Sequence, residues 1–327
     1  MSLTDWHTHW LPARLVDALA RRKEGPRIDL EAKRLLYADS SLVLWDTYHD
    51  IDARLRLLDE TGIDRQVLSL PGLFRIDSLP VAEAEPLVRI FNDETRALVR
   101  SRPERFSGLV ALPIADPARA AEVFERELAE GVLIGAILPV DAFLSHDDAQ
   151  AWKPVLAVAQ RWHAHLFVHP GPVAATLPAA GAEGVTAIDN AAYRRGAQDL
   201  QSRITSAAIT LAFTDLLDDY PDVTVQVANL GGTLPFIVER FDAIDLRDRG
   251  AIASRERLRR IYVDTASLGA GAIALAARTF GADRLLFGSD LPIFSADLPI
   301  AGFREAAIPL DQAGAVQPSL VPREAKA

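Results

Sequence analysis

Two histidines stand one residue apart in Asp5-Trp6-His7-Thr8-His9-Trp10. If Leu3–His9 is a strand, alternation of side chains puts both imidazoles on one face. Two neutral imidazoles at a strand end are two ready metal ligands. A His-x-His pair near a terminus is a weak signal alone, so its meaning depends on what the rest of the chain supplies.

Three further runs supply matching residue types. His165-Leu166-Phe167-Val168-His169-Pro170 ends in His169, Val227-Ala228-Asn229-Leu230-Gly231-Gly232 brings Asn229 to a glycine turn, and Phe287-Gly288-Ser289-Asp290-Leu291-Pro292 brings Asp290 to a turn. Three histidines and one aspartate form a nitrogen and oxygen donor set suited to zinc, manganese or a similar divalent ion. An open position would take water or substrate. Asn229 before Gly231-Gly232 also reads as a turn residue that tolerates a left-handed backbone.

Other residues are weighed against plainer roles. His165 shares parity with His169, but four strand residues separate them by ~13 Å, which makes it a core histidine. His163 reads as a helix end and His49 as a residue just before a helix. His146, beside Asp147-Asp148, reads as a helix start or as a substitute proton carrier. Arg75 follows the second strand and is a candidate anchor for a substrate carboxylate, because arginine grips carboxylates bidentately, with a solvated surface arginine as the competing role. Trp10, Trp45, Tyr48 and Phe74 are candidates for an apolar pocket wall, with ordinary packing as the competing role.

The elements that must position these residues alternate regularly. Candidate strands are Leu3–His9, Asp64–Leu70, Phe106–Pro113, Leu133–Leu138, His165–His169, Val223–Ala228, Arg260–Asp264 and Arg284–Gly288. Helical patterns occupy Ile51–Thr61, Val81–Arg102, Pro117–Glu130, Asp148–Trp162, Leu200–Tyr220, Thr233–Ile244 and Ala270–Phe280. Asp116-Pro117 offers an N-cap with proline at the first helical position, and Gly62, Gly131 and Gly281 follow helices where a left-handed cap is expected. Eight strands alternating with helices point to parallel βαβ units. A (β/α)8 barrel and an open doubly wound sheet compete. The absence of Gly-x-Gly-x-x-Gly after the first strand counts against a dinucleotide-binding sheet. Two excursions, Glu24–Asp50 and Gly171–Asp199, follow strands and so fall on the face where barrels build active sites.

Composition narrows the function classes. The chain has 327 residues, 49% hydrophobic and 24% charged, as in a globular protein with a large core. It contains no cysteine, which excludes disulfides, cysteine-zinc sites and thiolate catalysis. The net charge is −10 and no basic stripe is present, against a nucleic-acid partner. No apolar run approaches the ~20 residues of a membrane span, and no export signal is legible, so a cytoplasmic location is expected.

The order His-x-His, His-Pro, a Gly-Gly turn before a helix, and Gly-Ser-Asp-x-Pro resembles the metal-dependent amidohydrolase superfamily. The similarity is greatest to its branch of aminocarboxymuconate-semialdehyde and resorcylate-type decarboxylases, and it covers roughly Leu3 to Phe294. It implies an α/β fold, a distorted (β/α)8 TIM barrel of the metal-dependent hydrolase type, here one domain over 1–327 with excursions at about 24–50 and 171–199. It implies His7, His9, His169 and Asp290 as ligands of one divalent ion, zinc first and manganese second. It implies a small-molecule substrate, a carboxylate, and association into a homodimer of the kind common in the family. Three departures stand out. Asn229 occupies the place of the family's usual proton-transferring histidine, and an amide can donate or accept hydrogen bonds but takes up no proton at neutral pH. Leu133–Leu138 lacks the lysine that binuclear members carboxylate, which favours a single metal. The tail Ala301–Ala327 lacks the family's usual Asn-Ala segment, so the eighth unit is expected to be atypical or shortened.

Three activities are compatible with these residues. The leading one is nonoxidative decarboxylation of an unsaturated or aromatic carboxylic acid. In it Asp290 delivers the proton, Asn229 orients water or a substrate oxygen, and Arg75, Trp10 and Phe74 hold substrate. The second is metal-dependent hydrolysis of a lactone, ester or amide, with Asp290 as base and Asn229 as an oxyanion donor. The third is a ligand-binding barrel that has lost turnover, motivated by Asn229 and the tail.

Overall fold

The computed structural model describes residues 3–37, 41–173, 194–252, 255–310, 318–319 and 321–325. Eight strands follow one another around a sheet in chain order: β1 (Thr4–His9), β2 (Arg65–Ser69), β3 (Phe106–Val110), β4 (Gly135–Pro139), β5 (His165–His169), β6 (Thr224–Val227), β7 (Ile261–Asp264) and β8 (Leu285–Leu286). All neighbouring pairs are parallel. The sheet closes on itself after β8. Trp6 N–H donates to Phe287 O, Asp290 N–H to His7 O and His9 N–H to Leu291 O, each at 2.8 Å. The fold is a (β/α)8 barrel, as the alternation of apolar runs and helical patterns predicts.

Between the strands run α1 (Ala13–Ala20), α2 (Ile51–Thr61), α3 (Val81–Ser101), α4 (Pro117–Ala129), α5 (His146–Gln150), α6 (Lys153–Trp162), α7 (Arg194–Phe213), α8 (Leu234–Arg249) and α9 (Ala270–Phe280), and α10 (Asp297–Glu305) follows β8. Local chemistry sets their ends. Asp50 caps α2 by accepting from Ala53 N–H, and Asp116 caps α4, with Pro117 in its first turn. A small inner cluster including Trp6, Val67, Leu109, Ile137 and Phe167 fills the barrel. A larger apolar cluster draws on strands, helices and connecting segments.

The structure differs from the sequence reading in four places. The helix expected over Asp148–Trp162 is two, α5 and α6. Pro154 lacks an N–H and is placed in the first turn of the second helix, where no intrahelical donor is needed. The excursion Glu24–Asp50 carries a three-stranded antiparallel sheet of Arg27–Asp29, Arg34–Leu36 and Ser41–Val43. The segment after Ala296 forms α10, with Phe303 fully buried and 6.3 Å from the ring of Phe287. Strand β1 is also irregular, because its pairing with β2 shifts register between Asp5 and Thr8. Of the excursion Gly171–Asp199, residues 174–193 lie outside the described residues. Among the described residues no helix is long and apolar enough to cross a membrane.

Candidate metal centre

His7 and His9 at the end of β1, His169 at the end of β5 and Asp290 after β8 converge at the carboxyl-terminal mouth of the barrel. Ring centroids lie 5.2 Å apart for His7–His9, 4.9 Å for His7–His169 and 4.5 Å for His9–His169. Each ring offers a ligand atom, and the three atoms lie within 4.8 Å of one another. Asp290 Oδ1 is 3.5 Å from His7 Nε2 and 3.4 Å from His9 Nε2. All four residues are buried.

Buried polar atoms in native proteins are nearly always hydrogen-bonded. Here His7 Nε2, His9 Nε2 and Asp290 Oδ1 are all buried with no hydrogen-bond partner among the described residues. An orphaned set of imidazole nitrogens and a carboxylate oxygen fits a divalent metal ion of borderline softness.

Neighbouring residues hold these ligands in place. The parallel register sets Ser69 opposite His9. Ser69 Oγ lies 3.0 Å from His9 Nδ1 and donates its own proton to Thr8 O at 2.9 Å. Asp264, at the end of β7, lies 2.9 Å from His7 Nδ1. Gly288 lets β8 approach this pair, because a Cβ there would stand 2.8 Å from His7 Cβ and 3.1 Å from Asp264 Cβ. The buried Arg54 guanidinium donates to His9 O, Thr47 O and Gln66 Oε1 and so fixes the end of β1 to α2. Asp290 takes a left-handed backbone, φ +63°.

Electrostatics make the three rings unequal. Burial works to lower the His7 pKa, but the Asp264 and Asp290 carboxylates outweigh it and raise it to about 9. Burial lowers the His9 pKa despite Asp290. His169 lies well below its ordinary value through burial and the two neighbouring rings.

The remaining sequence candidates are placed as follows. Asn229 has φ +50°, and its Nδ2 donates to Ala266 O at 2.9 Å and Ser267 Oγ at 3.0 Å. Both amide protons are thereby engaged, so Asn229 can accept a hydrogen bond through Oδ1 but has none left to donate. Trp10 is buried and its Nε1 donates to Thr95 of α3 at 3.0 Å. Phe74 is buried with its ring 5.3 Å from that of Tyr48. These contacts pack both residues in the core, the plainer of the two roles weighed for them. Trp45 is half exposed. Arg75 stacks on Tyr37, 5.0 Å from the ring centroid, and lines a cavity of about 330 Å³ with Leu73, Val140, Asp141, Pro172 and Arg203. His165 is buried on Gln226, His163 caps α6, His49 precedes α2, and His146 starts α5 and pairs with Asp215.

Sequence reasoning missed Asp264, Ser69, Asp5, Ser289 and Arg203. Asp264 carried a readable signal, since it is the polar residue that ends the apolar run Ile261-Tyr262-Val263. Arg203, which grips Asp141 through two hydrogen bonds across the cavity, carried none.

A stretch of 204 residues is 31% identical to the gamma-resorcylate decarboxylase of Polaromonas sp. strain JS666, over 58% of this chain and 59% of that one. The alignment thus spans somewhat under two thirds of that relative. Among solved structures, 5-carboxyvanillate decarboxylase from Sphingomonas paucimobilis superposes with TM-score 0.67 at 22% identity, over 96% of this chain and 95% of that chain. The dihydroxybenzoic acid decarboxylase from Polaromonas sp. JS666, with bound manganese and the inhibitor 2-nitroresorcinol, superposes with TM-score 0.66 at 22% identity, over 96% and 94%. At these identities the structural likeness establishes the barrel. The sequence profile of the amidohydrolase family matches residues 4–325, so this chain belongs to the amidohydrolase family.

Proposed function

We propose that this protein is a metal-dependent, nonoxidative decarboxylase of a small aromatic carboxylic acid. The observation that carries the reading is the convergence of His7, His9 and His169, whose ligand atoms lie within 4.8 Å of one another, with Asp290 Oδ1 3.4–3.5 Å from Nε2 of His7 and His9 at the barrel mouth. The decarboxylase named in the most extensive of the three likenesses above, and its counterpart by sequence, supply the reaction class. When bound, a divalent ion supplies Lewis acidity and a template for the carboxylate and a neighbouring oxygen. The nitrogen-rich donor set suits zinc, and manganese is the ion in the Polaromonas relative's structure.

In this reading the chain's own residues work as follows. Asp290 passes a proton to the ring carbon that bears the carboxylate. The bond from that carbon to the carboxylate then breaks, its electron pair returns to the ring, and carbon dioxide leaves. Asp290 regains its proton from water. Arg75, on the rim of the neighbouring cavity, draws the anionic substrate in. Asn229 accepts a hydrogen bond from a substrate hydroxyl. Trp10 and Phe74 support the pocket from behind. The competing hydrolase reading needs a hydrogen-bond donor for a developing oxyanion. Asn229, the residue expected to provide it, has both amide protons engaged, which favours decarboxylation. The same reading makes the chain a cytoplasmic enzyme acting as a single barrel domain.

The test is carbon dioxide release from a panel of hydroxybenzoates by protein loaded with zinc or with manganese. Release of carbon dioxide with the matching phenol is expected, and Asp290→Asn should lower it by about 100-fold or more, the scale of general-acid catalysis. Lactone hydrolysis in a pH-stat without carbon dioxide release from any acid would overturn the assignment.

A further inference from the structure

We propose that Asp264 and Ser69 are positioning residues that place the ring proton of His7 and of His9 on Nδ1, and that they make the two histidines unequal metal donors. The inference rests on the metal-binding reading above and adds to it the residues that orient the ligands.

The hydrogen-bond pattern determines the protons. Ser69 has one hydroxyl proton and gives it to Thr8 O. It can therefore meet His9 Nδ1, 3.0 Å away, only as an acceptor, so His9 carries its proton on Nδ1 and turns the Nε2 lone pair to the centre. Asp264 is an acceptor at both oxygens. Its Oδ1 takes Asn229 N–H and Ala266 N–H at 3.2 Å each, and its Oδ2 takes Gln226 Nε2 at 2.7 Å. His7 Nδ1 completes this set at 2.9 Å and must be protonated to do so. Asp264 is fully buried, and these four donors replace the water an exposed carboxylate would have. Both rings are thus held with Nε2 toward Asp290.

The two partners differ in charge. His7 donates to an anion and His9 to a neutral hydroxyl. Donation to a carboxylate raises the basicity of the opposite ring nitrogen, as in other carboxylate–histidine–metal arrangements. His7 is accordingly the stronger donor of the pair. Asn229 acts on the same carboxylate through its backbone N–H, which gives the residue found in place of a proton carrier a part in orienting His7.

The experiment measures zinc and manganese affinity by chelator competition in the wild-type chain, Asp264→Asn and Ser69→Ala. It also records the imidazole nitrogen and proton resonances of the zinc-loaded wild type. Asp264→Asn should weaken both metals by about 10- to 100-fold, and Ser69→Ala by less than that. Both rings should be protonated on Nδ1, with the His7 proton downfield of the His9 proton. The resonances are read on the wild type, so misfolding of a variant leaves them intact. Equal affinity of Asp264→Asn and wild type, or a His7 ring protonated on Nε2, overturns this inference and leaves the metal reading standing. A wild-type chain that binds neither ion overturns the metal reading and this inference with it.

Discussion

The Ser289 hydroxyl donates to Asp5 Oδ2 at 2.6 Å, across the seam where the last strand of the barrel meets the first. Ser289 N–H donates to Asp5 Oδ1 at 3.0 Å, and Gln66 Nε2 and His7 N–H complete the shell of the same carboxyl. One buried carboxylate thus ties together β1, β2 and the turn that carries Asp290. Burial is the largest influence on Asp5 and raises its pKa to about 6, while the hydrogen bonds from Ser289 and Gln66 pull it down.

Ser289→Ala should therefore destabilise the fold in a pH-dependent way. A hydrogen bond to a charged group contributes about 1.5–3 kcal/mol. With the hydroxyl gone, the Asp5 pKa rises further. A carboxyl whose folded pKa is raised favours the fold most below its unfolded value, and this contribution is lost as pH rises through the folded pKa. The loss in the variant should be full at pH 8, where the native Asp5 is ionised, and smaller at pH 5. Urea unfolding at the two pH values measures it, and an equal loss at both would show that Asp5 ionisation plays no part.

The strength and the limit of the sequence reading both trace to side-chain direction. His7, His9 and His169 were legible because strand parity and strand ends are periodic properties, and Asp290 because it follows a Gly-Ser turn. The register shift in β1 did not spoil this, since both rings still meet His169. Trp10 left two roles open because it lies one residue past the end of β1. Parity no longer governs there, and its indole finds Thr95 of α3. Asp264 went unread because its partner His7 lies 257 positions away, a contact created only by barrel closure. The three-stranded sheet between Arg27 and Val43 was opaque because each strand is three residues long, too short for a period of two to register.

Gly288 offers a second prediction, concerning shape in place of charge. A methyl group there would meet His7 Cβ at 2.8 Å and Asp264 Cβ at 3.1 Å. Both are the roots of their side chains, so neither can yield by rotation. Gly288→Ala should cost about 1–3 kcal/mol, the range for overpacking a filled core. It should also weaken zinc binding by spreading His7 from Asp264. Thermal unfolding and chelator competition on the same preparation read the two effects, and a variant as stable as the wild type with unchanged zinc affinity would contradict the close packing at this seam.

His165 gives a pH prediction at the other end of the barrel. Its Nε2 lies 3.0 Å from Gln226 Oε1, its Nδ1 3.3 Å from Thr224 Oγ1, and its ring packs edge-on against Trp6 at 5.2 Å. These partners are uncharged. Burial lowers its pKa to about 4, with the Gln226 hydrogen bond pulling the other way. An unfolded histidine titrates near ~6.5. Between these values the unfolded chain holds a proton that the folded chain does not. The stability His165 contributes is therefore fully present above the unfolded pKa and is lost as pH falls through 6.5 toward the folded pKa. The slope in that window is about 1.4 kcal/mol per pH unit, reaching ~3 kcal/mol in all. His165→Gln cannot titrate and keeps a partner for Gln226. Its unfolding free energy, followed in urea from pH 7.5 to 4.5, should fall less steeply than that of the wild type by about one proton, because the two chains share every other titrating group. Parallel curves would mean that His165 already takes its proton in the folded barrel, which its burial among neutral groups opposes.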